Sequence, residues 1–184
     1  MLVKRAMSKN VVSVSVPGNR EKVLDLMRKE DKAVLPVVKG DTKQLVGLIT
    51  RSDLIVNPDE EQIAILMSTD LVTASPDDDV ADVAKKMIDN NVRRVPVVDD
   101  NGDLVGIITS FDLVANALIK LESDDPVENF MITTVPTTWY KTPLNVAFET
   151  MKQFGLKSVL ALNDSAKLVG ILTETDFIEE SEII

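Results

Sequence analysis

The chain has 184 residues, 45% of them hydrophobic and 27% charged, a balance that suits a globular protein able to bury roughly two-thirds of its unfolded surface. It contains no cysteine and no histidine, which excludes disulfide staples, thiolate zinc sites and cysteine or histidine catalysis. A net charge of −10 argues against a general nucleic-acid binder, no apolar run approaches the ~20 residues that span a bilayer, and Met1 to Met7 is too short for a secretory signal, so a cytoplasmic protein is expected. The charge is uneven: residues 1–60 carry 11 basic and 8 acidic side chains, whereas 121–184 carry 4 and 11, which leaves the first third as a possible contact surface for a partner.

In chain order, Met7-Ser8 precedes a β-rich segment from Val11 to Val16, and Val23, Leu26 and Met27 recur at helical spacing. A buried-strand run, Leu35-Pro36-Val37-Val38, leads to Leu45-Val46-Gly47-Leu48-Ile49-Thr50-Arg51-Ser52-Asp53-Leu54. The same succession then returns. Met67-Ser68 precedes Leu71 to Ala74. Ser75-Pro76-Asp77-Asp78-Asp79 opens a helix marked by Val80, Val83, Ala84, Met87 and Ile88, acidic residues suiting its N-terminus. Val95-Pro96-Val97-Val98 and Leu104 to Leu113 flank Asn101-Gly102, a strong hairpin signal, and a second helix is expected from Asp112 to Leu121. A third copy runs through Met131-Ile132, the segment Thr134 to Thr138, the helical set Val146, Ala147 and Met151, the strand Val159 to Leu162, and Leu168-Val169-Gly170-Ile171-Leu172-Thr173-Glu174-Thr175-Asp176-Phe177.

Three copies of L-V-G-apolar-apolar-T-x-x-D-apolar, with their upstream strands and helices at matching offsets, establish an internal repeat of about 60 residues with the order β-α-β-β-α. The expected fold class is therefore α/β (α+β), with repeats at 1–60, 61–121 and 122–184. So small a unit cannot cover both faces of its sheet, and pairing with a neighbour is the expected remedy.

With these residues in view, the sequence resembles the cystathionine-β-synthase (CBS) domain family, whose tandem pairs form a Bateman module, and as a stand-alone set of repeats it is similar to the adenine-nucleotide-sensing gamma subunit of AMP-activated kinase. The resemblance implies an adenosine-containing ligand, AMP, ADP, ATP or S-adenosylmethionine, held between paired repeats, with no cofactor required. It also implies that Asp53, Asp112 and Asp176 accept ribose hydroxyls, and that Thr50, Thr109 and Thr173 contact ribose or phosphate. A carboxylate at a strand-to-helix junction suits a vicinal diol, and a hydroxyl beside helix N-terminal amides suits phosphate oxygens. The residues also allow a plainer reading, in which the threonines end strands and the aspartates cap helices.

Basic residues before the Pro-Val-Val strand reach phosphates in nucleotide-binding members, which selects Arg93 and Arg94, then Lys157; Ala33 and Val34 stand there in copy one. First-strand residues Ser13, Thr73 and Thr137 fall near the base or ribose by the same resemblance. Trp139 and Tyr140 are expected in core packing or an interface before base stacking.

Repeats one and two are the natural pair. Repeat three, with Leu160 where the family has Pro, is expected to find its partner in a second chain, as a homodimer about a twofold axis, or in a fourth repeat, since Glu179 to Ile184 resembles the lead into repeat two. No nucleophile elbow or phosphate loop appears, so the expectation is a regulator acting on an unknown protein in trans and not an enzyme. A ligand-free interaction scaffold is the alternative, and weak carboxylate-based hydrolysis a minor one.

Overall fold

The computed structural model describes residues 1–118, 126–129 and 131–180, and the chain divides into two compact units, Met1–Ser123 and Asp124–Ile184. In repeat one, β1 (Val14–Val16) is followed by α1 (Arg20–Lys29), β2 (Val34–Lys39), β3 (Leu45–Thr50) and α2 (Arg51–Val56). A short helix α3 (Ile63–Leu66) leads to repeat two, with α4 (Val80–Asp89), β4 (Arg94–Val98), β5 (Leu104–Thr109) and α5 (Ser110–Leu118). Repeat three, in the second unit, comprises β6 (Thr137–Trp139), α6 (Leu144–Phe154), β7 (Ser158–Leu162), β8 (Leu168–Thr173) and α7 (Glu174–Glu180).

The β-α-β-β-α expectation holds in repeats one and three. In each the first strand runs parallel to the second, and the second and third form an antiparallel hairpin. Repeat two departs from it. Leu71 to Ala74 is not a strand but makes a single parallel bridge, Ala74 with Val97, because the Ser75 amide turns away to the Asp78 carboxylate and Pro76 follows. The residues expected for α5 beyond Leu118, the boundary near 121–122, and the tail from Ser181 to Ile184 lie outside the described residues.

Local rules repeat with the sequence. The register shifts at the same place in all three hairpins, after Val37, Val97 and Ala161. After the first helix of each repeat a residue enters the left-handed region: Asp31 (φ 48°), Asn91 (φ 52°) and Gly155 (φ 62°), types that tolerate it best. Asn19 caps α1 and Asp79 caps α4 through their side chains, while Pro143 before α6 supplies no such bond. Pro36 and Pro96 lack an amide, and Leu160 at that position donates one to the Pro136 carbonyl (3.1 Å), so the third copy's departure adds a backbone bond.

Two apolar cores lie in the first unit, one around Val23, Met27, Leu35, Val37 and Ile49, the other around Val83, Met87, Val95, Val97 and Ile108. Each such fully buried aliphatic side chain contributes about 1.5–3 kcal/mol. The two hairpins also meet, Leu45 donating to the Gly102 carbonyl (3.1 Å) and Leu104 to that of Lys43 (2.8 Å). No helix of the described residues is long and apolar enough to cross a membrane.

Candidate functional site

The motif residues sit where each hairpin's last strand becomes a helix. Thr50 is the N-cap of α2: its hydroxyl accepts from the Asp53 amide (3.3 Å), while its own amide and hydroxyl both donate to Asp53 Oδ2 (2.8 Å each). Thr109 and Asp112 repeat this arrangement, with Thr109 N and Oγ1 donating at 2.8 and 2.6 Å. In repeat three Thr173 N and Oγ1 likewise donate to Asp176 Oδ2, at 2.6 and 2.8 Å.

This corrects one detail of the plainer sequence reading: the threonine is the cap, and the aspartate is its partner three residues on, closing a capping box of a kind worth about 1 kcal/mol. In every copy the box uses Oδ2. Two donors saturate that oxygen, and Oδ1 takes no part in the box. The capping interaction therefore leaves one carboxylate oxygen of each motif aspartate unused for capping.

The position before the second strand is tied to the same junction. Arg51 donates its amide to the Ala33 carbonyl (3.0 Å), Ser110 to that of Arg93 (2.9 Å) and Glu174 to that of Lys157 (3.3 Å). Arg93 and Lys157 are thus bonded through their carbonyls to the motif junction and Arg94 pairs with Thr109, but the surroundings of the three differ. Arg94 opens β4 opposite Thr109, and alternation puts it with Pro96 on the face away from the helix-covered Val95 and Val97. Arg93 instead lines a groove of about 460 Å³ between α4 and α5, with Met87, Ile88, Ser110 and Leu113. Lys157 is paired with Glu174 in its own repeat (2.9 Å).

Sequence reasoning missed Arg51. Where repeat one has Ala33 in place of a base, Arg51 brings a guanidinium to the same junction, its Nη2 donating to the Met27 carbonyl (3.5 Å) with Asp31 at 4.0 Å. The available signal was the residue after the motif Thr, which changes from Arg51 to Ser110 to Glu174.

Ser13 and Thr73 are half-buried and precede the first strand or its bridge; Thr137 is exposed at the start of β6. Within a repeat the second strand stands between these residues and the motif junction, so the two sets are not brought into contact.

Trp139 and Tyr140 are not core residues. Both are largely exposed, with Trp139 Nε1 donating to Asp164 Oδ1 (2.8 Å) and Lys141 Nζ lying 5.5 and 5.0 Å from the two ring centres.

The acidic run is occupied by the fold itself. Asp77 receives Lys4 Nζ (2.6 Å), Asp78 receives the Ser75 amide and Lys86 Nζ (3.1 Å each), and Asp79 receives the Met1 amino group (2.7 Å) and the Ala81 amide (2.9 Å). The Ser75 amide, aided by Lys86, holds the Asp78 carboxyl below its ordinary value, and the Met1 ammonium with the Ala81 amide does the same for Asp79. Among the described residues no cluster of carboxylates has the makings of a metal site.

Three copies of one family model, described as the CBS domain, match residues 3–58, 61–118 and 127–182. The chain is 23% identical over 198 residues to the uncharacterised protein MJ1225 of Methanocaldococcus jannaschii, covering 97% of this chain and 70% of that one. The structure of MJ1225, described as a candidate archaeal homologue of g-AMPK, superposes with a TM-score of 0.87. The CBS domain pair of protein MJ0100, solved with 5-methylthioadenosine and S-adenosyl-L-methionine, is 32% identical, covers 66% of this chain and 98% of its own, and has a TM-score of 0.60. CBSX2 in complex with AMP is 25% identical over 65% of this chain and 98% of its own, at a TM-score of 0.59. Two further curated relatives are longer, and the chain spans 43% and 44% of their lengths.

Proposed function

The chain belongs to the CBS domain family, and from that premise we propose that repeats one and two form a regulatory module that binds an adenosine-containing ligand and controls a partner protein in trans. The observation that carries this reading is the junction geometry: Asp53 and Asp112 are held by identical capping boxes that leave Oδ1 outside the box, an acceptor suited to ribose hydroxyls. Support for the ligand class comes from the MJ0100 pair, whose two adenosine ligands share a nucleoside and differ beyond it. Thr50 and Thr109 act mainly by fixing the aspartates. Arg94 is the preferred phosphate contact, since a guanidinium offers a bidentate fork. The protein works in the cytoplasm as a regulator, needs no cofactor, and assembles as a homodimer. A ligand controls the partner only if it binds the partner-competent state more tightly.

Calorimetric titration of the full chain with AMP, ATP, S-adenosylmethionine and 5-methylthioadenosine tests this. Binding of at least one is expected, with loss of affinity in Asp53→Asn or Asp112→Asn, substitutions that keep an acceptor for the threonine. Silence from all four, or affinity unchanged in both variants, overturns the ribose role. That outcome would favour the interaction scaffold, a reading supported by the fact that capping alone accounts for the Thr–Asp pair.

A further inference from the structure

In the first unit, each repeat receives part of its core from the segment that leads into the other. Ile63, with no exposed surface, belongs to the core of repeat one beside Val23, Met27 and Leu35, and Val3 to that of repeat two beside Val83, Met87 and Val95. Four residues later Met67 lies over Gly47 and Met7 over Gly106, so close that a Cβ at either glycine would stand 2.5 Å from the sulfur. The next residue seals the contact with an antiparallel bridge, Ser68 with Leu48 and Ser8 with Ile107. The exchange is reciprocal, and neither lead segment serves its own repeat.

Repeat three carries both halves of this exchange, and its inserting half is exposed. Strand register aligns Ala147, Met151 and Val159 with Val23, Met27 and Leu35, and in repeat three these residues line a cavity of about 490 Å³. A Cβ on Gly170 would meet only the Ala161 Cβ, at 4.0 Å. On the same strand Leu168 is 60% and Ile171 58% exposed. The inserting half is present too. Val127 opens a 3-10 turn four residues before Met131, as Val3 opens one four residues before Met7, and Val127 and Met131 are 76% and 54% exposed.

We infer that repeat three is completed by repeat three of a second copy of this chain, each inserting its Val127 into the other's cavity and laying its Met131 over the other's Gly170. A surface that holds both the inserting group and the receiving cavity is self-complementary, which is the condition for a twofold contact. The apolar area it covers is of the kind that marks an association site. The inference is independent of any nucleotide.

The full chain tests it by sedimentation and cross-linking. The wild type sediments as a dimer of 20.2 kDa chains whose second unit unfolds at a temperature that rises with protein concentration, and Gly170→Val sediments as a monomer that still unfolds cooperatively but without that concentration dependence, because its new side chain meets open space in one chain and Met131 only in two. Val127→Asp, at an exposed position, gives the same loss should Gly170→Val fold poorly. Chains carrying Ile132→Cys and Ile171→Cys, at the positions of the Ser8–Ile107 bridge, form a disulfide when mixed and not when kept apart, the sequence having no other cysteine. A wild type that stays monomeric at the highest concentration reached overturns the inference and assigns the cavity to another polypeptide, such as a further repeat of this kind. A dimer that survives both Gly170→Val and Val127→Asp overturns it as well.

Discussion

Repeats one and three have the same strand order, the same hairpin register with the same shift, and the same threonine–aspartate box, yet one has a closed core and the other an open one. Gly47 and Gly170 show the difference most simply. Both occupy the third position of the last strand, but Met67 fills the space over the first and nothing within 4 Å beyond Ala161 stands over the second. The lesson is that a CBS repeat is complete in its backbone but not in its core. In repeats one and two the missing apolar volume is supplied from outside the repeat, and a side chain at Gly47 or Gly106 would collide with the donor methionine.

The comparison breaks first at the inserted residue. Ile63→Ala empties the centre of the repeat-one core and is expected to cost about 2–5 kcal/mol, read as a lower urea midpoint for the first unit, whereas Val127→Ala in the exposed counterpart changes the second unit's intrinsic stability by less than about 0.5 kcal/mol. Equal losses in both would mean the two repeats are closed alike. Next, Gly47→Val drives a side chain against the Met67 sulfur and is expected to cost about 1–3 kcal/mol, with Gly170→Val neutral in a monomer. A smaller and uniform effect is expected at the capping boxes. Thr50→Val, Thr109→Val and Thr173→Val each lose about 1 kcal/mol, because the box is present in every repeat irrespective of how its core is filled.

The smallest effect separates the units by pH. Asp78 and Asp79 are held below the ordinary carboxylate value when folded, so their contribution is fully present above that value and fades as the pH falls through their lowered ones. In repeat three Thr142 and Pro143 occupy these positions, so acidification below about pH 4 should erode the first unit through a route the second lacks. Asp79→Asn keeps a capping oxygen and should weaken that acid response; an unchanged acid profile would show that the Met1–Asp79 pair contributes nothing.

Much of the fold was legible because its signals are local. The apolar spacing of Val80, Val83 and Met87, the Asn101-Gly102 turn and the β-branched runs each act over a few residues, and the structure has helix, turn and hairpin there. The motif residues were equally visible, since three copies of Thr-x-x-Asp recur at a strand end. Their division of labour was not, because whether Thr or Asp is the cap depends on where the first helical turn begins, a matter of one or two residues. The strand expected at Leu71 to Ala74 failed because β-propensity is overruled by the turn that Ser75, Pro76 and Asp78 impose. Arg51 escaped notice because it lies outside the position aligned with Arg93 and comes to it only through the backbone bond to Ala33.

By itself, the sequence determined the repeat, its β-α-β-β-α order and the chemistry placed at each junction, all of which depend on residues close together along the chain. Only the tertiary structure decided that Val3 belongs to repeat two and Ile63 to repeat one, that Met7 and Met67 cover each other's glycines, and that repeat three keeps its cavity open. The physical reason is that apolar periodicity says which side chains must leave water, whereas the partner that receives them is chosen by shape and by the energy of filling a particular space.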